Sequence, residues 1–153
     1  MGHHVELSRF VDSPPDRVWR VLTSVDSAPQ ILSGVQGVER LAGVGYEVGT
    51  RWRETRTMFG RAATEEMTVT AVEPGRHTAV KAESGGVRYR TEFDVAPERA
   101  GTTLTVRFSA DAGRPGRIRR ALTALVAPLA LRATRTALHQ DLDDIAAAAR
   151  AGI

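Results

Sequence analysis

Three charged residues on two neighbouring runs are the best candidates for chemistry. Glu54 and Arg56 alternate with Arg53 and Thr55, and Glu65 lies on the following run with Met67 and Val69. In a strand such alternation puts Trp52, Glu54, Arg56 and Met58 on one face. The Gly60-Arg61 pair between the runs suits a two-residue hairpin. A turn there sets Trp52 opposite Val69, Glu54 opposite Met67 and Arg56 opposite Glu65. Trp52, Met67 and Val69 are apolar, so this face is expected to point inward. Charges on it must pair with one another or with a polar ligand. Glu54 or Glu65 would then act as general acid or base, and Arg56 would stabilise enolate or carboxylate oxygens. The competing reading is a structural ion pair at a wet sheet edge. A one-residue register slip would turn all three outward.

Around this trio the sequence offers an apolar wall. Tyr89, Thr91, Phe93 and Val95 alternate with Arg88, Arg90, Glu92 and Asp94, and Leu104, Val106 and Phe108 alternate in the same way. The expected ligand-lining set is Trp52, Met58, Met67, Tyr89, Thr91, Phe93 and Phe108, joined by Leu122, Leu125 and Leu129 from the terminal helix. Hydroxyls on Tyr89 and Thr91 could orient a ligand; for the aliphatic members ordinary core packing is the competing role. His77 alternates away from the apolar positions and is expected on the surface, as is His139. His3 and His4 are expected in a loose terminus, with metal binding as the alternative. Nothing in the chain has metal-ligand spacing or a Ser-His-Asp arrangement, so no metal and no cofactor are expected. Gly43-Val44-Gly45 reads as a turn.

The elements that must carry these residues follow from periodicity. Val5 to Val11 reads as a half-buried strand, with its inward face obscured by Arg9 and Phe10. Ser13-Pro14-Pro15-Asp16 starts a short helix, with Ser13 as the expected cap and Val18, Trp19, Leu22 and Val25 as its stripe. A second short helix spans Ser27 to Leu32. Strands follow near Val35–Leu41, Val48–Met58, Ala62–Val72, His77–Ala82, Val87–Val95 and Thr102–Ala110, joined by short Gly- or Pro-containing links. Ile118 to Arg150 is a long helix in which Pro128 should kink or break the chain. Its second half is apolar on one face, with Asp141, Asp143 and Asp144 expected elsewhere. The order predicts one α+β domain: a curved antiparallel sheet of about seven strands wrapped around the C-terminal helix, with two short helices after the first strand. Sheet and helix cannot fill the volume between them, so a cavity is expected.

Bulk properties narrow the function. The 153 residues contain no cysteine, which excludes disulfides and thiolate chemistry. Lys81 is the one lysine among 21 basic residues, and the net charge is only +3. Arginine of this abundance reads as GC-rich codon usage and a bacterial source. The arginines are interspersed with acids, so nucleic acid is not an expected partner. The chain's start and the lack of a long apolar run point to a cytoplasmic protein. Residues 117–135 combine arginines with apolar residues. A lid or transient membrane contact is one reading, and homodimer contact or plain packing is the favoured one.

Several motifs carry a family resemblance. Ser13-Pro14-Pro15-Asp16-Arg17-Val18-Trp19 resembles the A-P-x-x-x-V-W opening of the SRPBCC, or START-like, superfamily. Val48-Gly49-Thr50-Arg51-Trp52-Arg53, Val69-Thr70-Ala71-Val72-Glu73-Pro74 and Gly101-Thr102-Thr103-Leu104-Thr105 resemble its strand motifs. Leu138 through Asp141-Leu142 to Ile145 resembles the terminal helix of the polyketide cyclase/dehydrase-like branch. The resemblance implies the helix-grip fold and a small hydrophobic ligand, a lipid or polyketide-like metabolite, held or carried in an internal cavity. The alternative it implies is a polyketide cyclase/aromatase that performs aldol cyclisation and dehydration with cavity acid/base residues and no cofactor. These motifs are turns and packing positions, specific for fold rather than for function.

Overall fold

The computed structural model describes residues 2–58, 60–111 and 116–152, with the backbone alone described for Gly2, Met58 and 117–129. The elements in chain order are β1 (Gly2–Val11), α1 (Pro15–Leu22), a 3-10 turn (Val25–Ser27), α2 (Ala28–Ile31), β2 (Val35–Ala42), β3 (Arg51–Met58), β4 (Arg61–Glu73), β5 (His77–Ser84), β6 (Val87–Glu98), β7 (Gly101–Asp111) and α3 (Arg117–Ala151). β2 to β7 form an antiparallel meander, and β1 adds beside β7 to give the order β1-β7-β6-β5-β4-β3-β2. This is the helix-grip arrangement, a seven-stranded sheet holding a long C-terminal helix.

Opposite residues in an antiparallel pair share a face, so the ladders trace the inward surface. One inward row runs Arg40, Trp52, Met67, Ala82, Tyr89, Ala110, His3. The next runs Val69, Val80, Thr91, Phe108, Val5. The main core lies between β1, β6, β7, α1 and the second half of α3. Val11, Val18, Leu104 and Val106 meet Leu142, Ile145 and Ala149 there, all buried. Burying a side chain such as Leu142 contributes roughly 1.5–3 kcal/mol. A second cluster, Val25, Trp52, Val69 and Val80, lies under β3–β5. Tyr46 closes it from the β2–β3 loop, its ring edge-on to Trp19 and its hydroxyl 2.7 Å from that of Thr78. Among the described residues no helix is long and apolar enough to cross a membrane.

Several expectations need correcting. Met58 pairs with Arg61, so the hairpin loop lies one position earlier than Gly60-Arg61 and every β3–β4 partner slides by two. A slide of two preserves the face, which is why the inward set survives. Val48 is not in a strand but exposed in a loop; Gly49 at φ 95° and the bond from the Thr50 N–H to the Glu47 carbonyl hold a turn there. Ser13 does not cap α1 with its side chain. It is buried and donates to the Ala149 carbonyl on α3, while the Thr102 hydroxyl donates to the Ser13 carbonyl. His3 and His4 belong to β1, opposite Ala110 and Ser109. His77 is partly buried on the outer face, 2.8 Å from Asp94, because β5 places it beside the carboxylates of β6. His139 is exposed, as expected. Pro128 does not break α3, which runs continuously from Arg117 to Ala151.

Gly101 shows how closely β1 and β7 approach. A Cβ there would lie 2.4 Å from the Val11 carbonyl oxygen and 2.8 Å from the Phe10 ring. Gly101→Ala is therefore expected to destabilise by about 1–3 kcal/mol, as overpacking does. At this chain length that is a fall of roughly 2–12 °C in Tm, readable by calorimetry.

Candidate functional site

β3 and α3 converge on one guanidinium. Arg56 points inward from β3 and donates from Nε to Glu54 Oε1 at 2.6 Å. Its Nη1 and Nη2 donate to Asp141 Oδ1 and Oδ2 at 3.1 and 2.9 Å, a bidentate fork that joins the sheet to α3. The other Glu54 oxygen accepts from Trp52 Nε1 at 3.1 Å. Both carboxylates are nearly closed off from water, Glu54 at 8% and Asp141 at 7% exposure. A Cβ on Gly34 would come within 3.3 Å of Arg56 Nη1, so the loop after α2 gives the guanidinium its space. Burial works against the charge on Arg56, but Asp141 and Glu54 outweigh it and hold the guanidinium firmly cationic. Burial pushes the Asp141 carboxyl up, against the pull of Arg56.

Asp141 escaped the sequence reading, which assigned it to the polar side of the helix. The signal was present in the spacing. Asp141 is three residues after Leu138 and four before Ile145, and those are stripe positions of an α-helix. Its neighbours also dock. Asp143 accepts from Arg9 of β1 at 2.6 Å, and Asp144 accepts from both the N–H and the hydroxyl of Ser33 at 2.8 Å.

Glu65 stands apart. It lies directly across the ladder from Glu54, a like-charge pairing that costs stability. Among the described residues no side chain or backbone group bonds to its carboxyl, and it is half-buried. Burial raises its pKa, the Glu54 charge adds to this, and Arg56 opposes it. Tyr89 faces the same region: its hydroxyl is raised by burial and then by the charge of Glu65, and its ring lies 5.8 Å from that of Phe108. Trp52 is buried with the second cluster, whereas Met67, Tyr89, Thr91, Phe93 and Phe108 all face inward and are only partly buried. The side chains of Met58, Leu122, Leu125 and Leu129 lie outside the described residues. Among those described, no group of three or more His, Asp and Glu could hold a metal ion.

Comparison with known proteins agrees with this architecture. Residues 2–150 match the family described as polyketide cyclase / dehydrase and lipid transport. No curated protein matches the chain in sequence. Among solved structures, a protein from Thermus thermophilus superposes with a TM-score of 0.81 at 18% identity, covering 97% of this chain and 98% of its own. The Zhui aromatase/cyclase from a Streptomyces species gives 0.77 at 21% identity over 98% and 94% of the two chains. A norcoclaurine synthase point mutant from Thalictrum gives 0.75 at 17% identity over 97% and 94%. At these identities the likeness concerns the fold.

Two measurements test the site's energetics. A double-mutant cycle on Arg56→Ala and Asp141→Ala is expected to give a coupling of about 1–3 kcal/mol. The same cycle on Arg40 and Asp26, whose carboxylate is 68% exposed, should give under about 1 kcal/mol. For Glu65 the raised folded-state pKa means that stability is lost as pH rises through it. Glu65→Gln should therefore melt about 1–3 °C above wild type near pH 8, with the gap closing as pH falls below the ordinary value of 4.5 and Glu65 takes up its proton in both states.

Proposed function

This chain belongs to the polyketide cyclase / dehydrase and lipid transport family, and from that premise we propose that it binds a small, mostly apolar ligand between the inward face of the sheet and α3. The observation that supports this most is the incomplete burial of Met67, Tyr89, Phe93 and Phe108, all on the face that grips the helix. A finished core leaves such side chains few routes to solvent, whereas a ligand site keeps apolar walls ready for a partner. Ala82 and Ala110 flank Tyr89 in the same row, and their small side chains make room beside the ring.

A second reading is favoured by Glu65. A half-buried carboxyl that no described residue hydrogen-bonds, raised in pKa and felt electrostatically by a tyrosine hydroxyl, has the properties of a general acid/base. In a cyclase it would take a proton from the carbon beside a ligand carbonyl and later give one to a departing hydroxyl. Glu54 and Arg56 would hold position, since their strongest bonding groups already serve each other, Trp52 and Asp141.

The binding reading is tested by Ala110→Phe, which fills the room beside Tyr89. Native mass spectrometry should find an apolar molecule retained by wild type and lost, or weakened by about tenfold or more, in the variant, with Tm held. Equal retention by both would rule this region out. Glu65→Gln separates the two readings, because a cyclase would lose turnover and keep its ligand.

A further inference from the structure

Three arginines project from the inward face of the sheet, and each is already held by a helical aspartate. Arg9, opposite buried Leu104 on β7, reaches Asp143 of α3 at 2.6 Å. Arg40, opposite buried Trp52, reaches Asp26 of the 3-10 turn through two bonds of 3.0–3.1 Å. Arg56 is bound by Asp141 and again by Glu54. A fourth, Arg61, shares that face only at the exposed tip of the β3–β4 hairpin, about 13 Å along the strand from Glu65. Within the grip itself the described inward face therefore presents no further arginine. The acidic groups do not balance so evenly: once Asp143, Asp26 and Asp141 are matched to one arginine each, Glu54 and Glu65 remain. Glu54 is enclosed by Trp52 and Arg56, which leaves Glu65, among the described carboxylates of the inward face, with bonding capacity to offer.

From this charge pattern we infer that the site selects ligands with an apolar, aromatic-sized body and a hydroxyl or ammonium head, and rejects those with a carboxylate or phosphate head. The inference rests on the binding reading above. An anionic head near Glu65 and Tyr89 would meet two carboxylates and find no arginine unclaimed at that depth of the described inward face, in surroundings that screen charge poorly. An ammonium or hydroxyl head can donate to Glu65 and leave the arginine pairs intact. The preference runs opposite to the molecule as a whole, whose net charge of +3 attracts anions. Non-specific surface binding would therefore give the reverse order.

The test uses three ligands that share one ring system: 2-naphthylmethylammonium, 2-naphthalenemethanol and 2-naphthoate, titrated into the full chain by calorimetry near neutral pH. Kd is expected to rise in that order, with naphthoate at least about tenfold weaker than the alcohol. Glu65→Gln should cut the ammonium advantage over the alcohol by about tenfold, because the carboxamide oxygen still accepts from a hydroxyl but no longer carries a charge to attract the ammonium. Naphthoate binding as tightly as the alcohol, or an unchanged ammonium-to-alcohol ratio in Glu65→Gln, would overturn the selectivity and leave the binding reading standing. Failure of all three to bind would remove the binding reading, and this inference with it.

Discussion

The fork between Arg56 and Asp141 fixes how the last helix lies across the sheet. Apolar contact alone cannot do this, because the stripe of Leu138, Leu142, Ile145 and Ala149 would tolerate sliding and rotation against a wall of valines and leucines. A bidentate guanidinium–carboxylate pair admits one distance and one angle. Taking both ions from water offsets much of their attraction, so the fork contributes orientation more than net stability. Arg9 with Asp143 and Ser33 with Asp144 fasten other sides of the same helical turn. Three aspartates within four residues thus pin α3 to β3, to β1 and to the loop after α2.

Much of this architecture was legible from spacing. Period-two runs and Gly- or Pro-containing links located the six meander strands, and the order of elements implied a sheet around the terminal helix. The inward face of β3 and β4 was also legible, because the apolar company of Trp52, Met67 and Val69 identifies it whichever nearby turn is chosen. The partner pairs were not. Gly60 can occupy either position of a two-residue loop, and moving the loop by one residue moves each partner by two. Asp141 was missed for a different reason. A carboxylate at the border of an apolar stripe looks like the start of the polar face until the arginine that faces it is known, and that arginine is 85 residues away. Ser13 shows the same limit, since its partner at Ala149 is farther still. Local pattern reports faces and turns, whereas long-range polar partners emerge only when the chain is folded.

Glu54 and Glu65 illustrate how neighbours of one chemistry come to differ. Strand pairing sets them side by side, yet Glu54 is enclosed by an indole N–H and a guanidinium while Glu65 has neither among the described residues. The first is a structural anion; the second retains bonding capacity toward the described residues and raises the Tyr89 hydroxyl electrostatically. A like-charge pair on a half-buried sheet face breaks the rules by which cross-strand neighbours stabilise one another, and such violations concentrate where a protein meets its ligand.

The position of β1 has a kinetic corollary. This strand is made first, yet its ladder partner β7 is made last among the strands, and the hydroxyls of Ser8 and Thr105 meet across 97 residues. Ser13 waits for the end of α3, 136 residues on. During synthesis the meander from β2 to β7 can zip hairpin by hairpin, while β1 and α1 remain without their neighbours until β7 and α3 have been made. Adding β1 to the sheet is therefore a late, entropically demanding event, and the strand carries Val5, Leu7 and Val11 uncovered until it occurs.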